Sequence, residues 1–107
     1  MATFGEFIKK ERQKKKLNQS DFGQQLGIIM TDISKIENSR KKFPYASLEK
    51  LAEFLNVDYI EIKNLFVADI LIEEANKYQC SDDVFTIAES QRKYTKEKNA
   101  KQGEMKF

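Results

Sequence analysis

The chain has 107 residues, a net charge of only +2, one cysteine, one proline and no histidine; this length suits one domain, or a small domain with an appendage. The missing histidine and the single Cys80 remove the commonest general base, an internal disulfide and most zinc sites, and no phosphate-cradling glycine loop or nucleophile elbow occurs, so neither an enzyme nor a cofactor is expected. No apolar run nears the ~20 residues that span a bilayer, and residues 1–5 lack the basic and apolar regions of a secretion signal, so a cytoplasmic protein away from the membrane is expected.

The hydrophobic pattern is helical nearly throughout, with no sustained strand-like alternation. Thr3 suits the N-cap of a first helix, and Glu6 completes a capping box. Phe4, Phe7, Ile8 and the Lys15 stem share one side of that helix. Lys9, Lys10, Arg12, Lys14 and Lys16 fall mostly on the others, and the helix should end near Lys16. Asn18 caps a second helix, with Asp21 in its first turn. Phe22 and Leu26 lie on one face of it, Gly23 lets another helix approach, and Gly27 stops it in the left-handed conformation.

A third helix runs from Met30 to Asn38, with Ile33 and Ile36 inward and Thr31, Asp32, Ser34 and Lys35 outward. A polar, basic loop from Ser39 to Phe43 leads to Pro44, which precedes or opens a fourth helix. Leu48, Leu51, Ala52 and Leu55 form its apolar face, and Asn56 ends it. Asp58 and Glu61 form a second capping-box pattern, opening a fifth helix with Ile60, Ile62, Leu65 and Phe66. From Val67 to Tyr78 the chain stays helical and apolar, either continuing the fifth helix or forming another. Ser81, Asp82 and Asp83 signal a last helix carrying Val84, Phe85, Ile87 and Tyr94, fading into a polar tail from Lys96.

Charge is unevenly placed. Residues 1–44 hold ten Lys/Arg against five Asp/Glu, a balance of +5. Residues 45–89 hold three against ten (−7), and residues 90–107 six against two (+4). A basic first third beside an acidic middle predicts one surface that attracts a polyanion and another that repels it. The lysine run from Lys9 to Lys16 reads as a solvated, generally attractive face. Tyr45, Tyr59 and Tyr78 read as core or interface residues rather than base-stacking platforms.

The two helices joined at Gly27 meet the demands of duplex recognition. A helix fits the ~12 Å major groove of B-DNA, held there by a partner helix that crosses the backbone. That arrangement needs a close crossing (Gly23), a sharp turn (Gly27) and an apolar seam (Phe22, Leu26, Ile33 and Ile36).

The stretch from Leu17 to Ile28, with Ile33-Ser34-Lys35-Ile36-Glu37-Asn38, Pro44 and Leu51 to Val57, resembles the phage-repressor/Cro-type helix-turn-helix family over roughly residues 4–66. The resemblance implies an all-α protein: a compact five-helix repressor-type DNA-binding domain over residues 1–66 and a C-terminal helical extension. The extension is expected to serve dimerisation over 67–98, with a mobile tail over 99–107. It implies that Met30, Thr31, Asp32 and Lys35 face bases. Gln19 is implied to contact a phosphate and prop the start of the third helix, and Asn38, Arg40, Lys41 and Lys42 to contact the backbone. Glu37 would sit in an internal ion pair with Arg12. Ile29, Met30 and Ser39 depart from the family's usual polar N-cap, polar reader and glycine.

Ile70, Leu71, Val84, Ile87 and Tyr94 are the candidate dimer interface, since two half-sites about one helical turn apart favour a dimer on a palindromic operator. The expectation is a sequence-specific, double-stranded-DNA-binding transcriptional regulator, a repressor or autoregulator. Control of a restriction–modification operon is the narrower form, and no small-molecule effector is implied. The competing expectation is an antitoxin-like interaction module whose C-terminal helices neutralise a partner toxin.

Overall fold

The computed structural model describes residues 2–102. Among these, every regular element is helical: α1 (Phe4–Lys14), α2 (Gln19–Leu26), α3 (Met30–Glu37), a 3-10 turn (Tyr45–Ser47), α4 (Leu48–Leu55), α5 (Tyr59–Lys77) and α6 (Asp83–Gln102). The chain divides into two compact units, one ending at Ile70 and the next beginning at Leu71.

The capping chemistry read from the sequence sets most boundaries. Thr3 accepts from the Glu6 N–H through Oγ1 (3.2 Å), and the Glu6 carboxylate accepts from the Thr3 N–H (2.9 Å). Hydrogen bonding to Thr3, its backbone N–H foremost and its side chain next, holds the Glu6 carboxyl below its ordinary pKa. A second anchor was not legible locally. The N–H of Phe4, otherwise unpaired at a helix start, donates to Asp69 Oδ2 of α5 at 2.9 Å and fixes α1 to a residue 65 positions away. Asn18 accepts from the Asp21 N–H (2.7 Å) and Asp58 from the Glu61 N–H (3.2 Å). Gly27 (φ 71°) and Asn56 (φ 56°) end α2 and α4 in the left-handed conformation.

The core of the first unit is continuous. Phe4 and Ile8 of α1, Phe22 and Leu26 of α2, and Ile33 and Ile36 of α3 join Leu48, Leu51, Ala52, Leu55, Ile62 and Phe66. Phe43, read as part of a polar loop, is buried in the same core, its ring edge-on to Phe4 at 5.9 Å. Lys15, exposed just after α1, places its Nζ 5.0 Å from the Phe54 ring centroid, a cation–π contact.

The structure differs from the sequence reading in several places. The described residues form six α-helices rather than five; residues 67–77 continue α5, one of the two alternatives the sequence left open, and α6 makes the rest of the helical extension. α4 starts only at Leu48, since Pro44 is extended (ψ 123°) and leads into the 3-10 turn. Ile60 of α5 faces solvent, and Tyr45 and Tyr78 are exposed, which removes the core half of their core-or-interface reading. α6 continues to Gln102, beyond the expected fading point; residues 103–107 of the expected tail lie outside the described residues.

Candidate nucleic-acid interface

A helix that reads a groove must be held rigidly, and α3 is held from both sides. A β-carbon on Gly23 would collide with the Ile28 carbonyl oxygen, and one on Gly5 with the Ile36 carbonyl oxygen. Only glycine permits these approaches of α2 and α1 to the turn and to α3. The sequence points to this role for Gly23, on the amphipathic α2, whereas nothing near Gly5 in the sequence marks its contact with Ile36.

The last turn of α3 is fixed by a buried polar knot. Glu37 is 5% exposed. Arg12 grips it with two bonds, Nε to Oε2 at 2.6 Å and Nη2 to Oε1 at 3.0 Å, and donates from Nη1 to the Leu17 carbonyl at 2.9 Å. Gln19 Nε2 completes the knot with a bond to Glu37 Oε1 at 3.1 Å. The expected Arg12–Glu37 pair is therefore present. Gln19, however, braces the end of α3 rather than its start, and its amide nitrogen is committed to that carboxylate.

The opposite face of α3 is open. Ile29 is 67% and Met30 53% exposed, and Thr31 and Lys35 are exposed beside them. Ile29 occupies the N-cap position without any side-chain bond to the helix start. Asp32 and Lys41, expected to serve a base and a phosphate separately, form one ion pair, Nζ to Oδ2 at 2.9 Å. Asn38 Nδ2 donates to the Ser34 carbonyl at 2.9 Å, so this amide nitrogen caps α3 rather than pointing outward. Ser39 adopts φ 59°, doing the work of the glycine usual there, and the Arg40 N–H closes the turn onto the Lys35 carbonyl at 2.8 Å. Arg40 and Lys42 are exposed in this loop, which buried Phe43 anchors.

Exposed Lys9 and Lys10 of α1 and Lys16 just after it add to the basic character of this segment, while Lys14 pairs with Glu11 at 3.0 Å. A hollow of about 500 Å³ is lined by Glu49, Glu53 and Asp58 with Ala52, Asn56, Val57 and Tyr59. Three carboxylates make it a poor seat for a polyanion. Of the candidate dimer residues, Ile70 is half-buried against the core of its own unit. Leu71, Ile87 and Tyr94 are exposed, and Val84 is half-buried. No helix among the described residues is long and apolar enough to cross a membrane.

Two helices locked at a glycine turn, with the second presenting an open face of mixed polar and apolar side chains, define a helix-turn-helix class. The chain belongs to the helix-turn-helix domain family, which matches residues 5–65. Among solved structures it is similar to the P22 c2 repressor protein, determined in complex with synthetic operator 9T in the presence of Tl+. That similarity has 26% identity and a TM-score of 0.53, covering 58% of this chain and 94% of the repressor chain. No curated protein matches.

Proposed function

We infer that this chain is a transcriptional regulator that binds double-stranded DNA through α3 and acts by binding rather than catalysis. The observation that carries the reading is the open face of α3, polar and apolar side chains together, on a helix immobilised by the Arg12–Glu37–Gln19 knot. The similarity to a repressor solved on its operator supports it.

In this reading α3 enters the major groove. Lys35 donates to guanine O6 or N7, and Thr31 bonds a base edge or meets a thymine methyl. Met30, with Ile29 beside it, contributes apolar contact to thymine methyls. Asp32 faces the same bases. Arg40 and Lys42 supply charge to the phosphates of any duplex and Lys41 to those of the cognate one, with Gln19 and Asn38 positioning the helix. The regulator binds a palindromic operator as a homodimer, with Leu71, Val84, Ile87 and Tyr94 as the interface. The narrower reading is an autoregulator in the manner of restriction–modification controllers, which rests on the family resemblance.

Two variants separate reading from positioning. Lys35→Ala is expected to cost about 1–3 kcal/mol on the cognate duplex and to relax preference at one base pair. Arg40→Ala is expected to weaken cognate and random duplexes alike and to reduce the salt slope by about 1. Indistinguishable behaviour of the two variants on both duplexes would remove the assignment of α3 as the reader.

A further inference from the structure

A carboxylate sits on the surface that this reading turns toward a polyanion. Asp32 lies in the first turn of α3, one turn from exposed Lys35. The chain reversal at Ser39, closed by the Arg40 N–H bond to Lys35, brings the following loop back along α3. Lys41 of that loop thereby reaches Asp32 at 2.9 Å, with side chains 49% and 26% exposed. A pair this exposed adds little to folding stability. Its consequence lies in what it does to Lys41, which it withholds, and to Asp32, which it neutralises.

We propose that Asp32 is a specificity-determining residue that suppresses binding to non-cognate duplex by holding Lys41; the proposal rests on the duplex-binding reading above. Any phosphate can attract Lys41, but taking it strips Asp32 of its counter-charge beside a polyanion. That cost falls on every sequence. It is offset only where a base presents an exocyclic amino group, such as cytosine N4, from which the carboxylate accepts a hydrogen bond. The ion pair therefore penalises the wrong site more than it helps the right one, and specificity is that difference.

The test compares Asp32→Asn, Lys41→Gln and the double variant on a selected cognate duplex and on random duplex across a salt series, with fold checked by circular dichroism. Asp32→Asn keeps the shape and removes the charge. It is expected to bind random duplex about two- to fivefold tighter. Its slope of log K against log salt should steepen by about 0.9, one further phosphate, and the cognate-to-random ratio should fall. Adding Lys41→Gln should return the random-duplex slope to that of Lys41→Gln alone. Lys41→Gln by itself should leave that slope near wild type, because Asp32 already withholds the lysine there.

The proposal is overturned if Asp32→Asn does not tighten random binding, if the ratio does not fall, or if Lys41→Gln alone flattens the random-duplex slope by about 0.9. A wild-type chain that binds no duplex is a separate outcome, seen before any variant is made, and removes the duplex-binding reading itself.

Discussion

At Gly23 two rules of helix chemistry give opposite answers. Helix propensity alone predicts that Gly23→Ala stabilises by about 1 kcal/mol. The Ile28 carbonyl occupies the space that the new methyl would need, and a backbone oxygen cannot rotate away as a side chain can. Gly23→Ala is therefore expected to destabilise by about 1–3 kcal/mol in a urea melt; a higher midpoint would contradict the packing described. The sequence made Gly23 legible because Phe22 and Leu26 flank it on an amphipathic helix. Gly5 was not legible, because its contact is with a carbonyl of Ile36, far along the chain. Arg12 offers a second residue-scale test. Arg12→Ala strands the buried Glu37 and should cost about 3–5 kcal/mol, whereas Arg12→Met with Glu37→Met should recover much of that loss. If the single variant melts like wild type, the knot does not hold α3.

At the scale of elements, α3 carries an unresolved conflict between stability and exposure. Its N-cap position holds Ile29, which makes no capping bond and lies open to solvent. A hydroxyl there would satisfy a free helix N–H. Ile29→Thr is expected to stabilise the fold by about 0.5–2 kcal/mol while weakening binding to a thymine-containing operator. Thermal melting and duplex titration together check both halves; improved stability without any loss of binding would remove Ile29 from the interface.

Caps made the starts of α1, α2 and α5 readable, because Thr3, Asn18 and Asp58 bond residues three positions on. The loop after α3 was misread for the opposite reason. Four polar residues masked Phe43, whose burial depends on Phe4 at the other end of the unit. The Asp32–Lys41 pair was likewise invisible, since it needs the left-handed turn at Ser39, which a serine does not advertise.

At the scale of the molecule, the first unit follows from its hydrophobic period, and residues 5–65 match the helix-turn-helix domain family. The second unit is less readable. Its helix α6 leaves Ile87 and Tyr94 exposed, and Leu71 at the start of the unit is exposed as well. A helix periodicity gives no sign of which copy or partner would cover such a surface, so burial alone did not predict it. We propose that a second copy of this chain covers it.

The most direct measurement is selection of duplexes bound by the full chain from a random pool, followed by sedimentation of the selected complex. One enriched inverted repeat is expected, with half-sites about one helical turn (~34 Å) apart, bound by two chains. A pool that emerges without an enriched sequence, or a protein that retains no duplex at low salt, would contradict it.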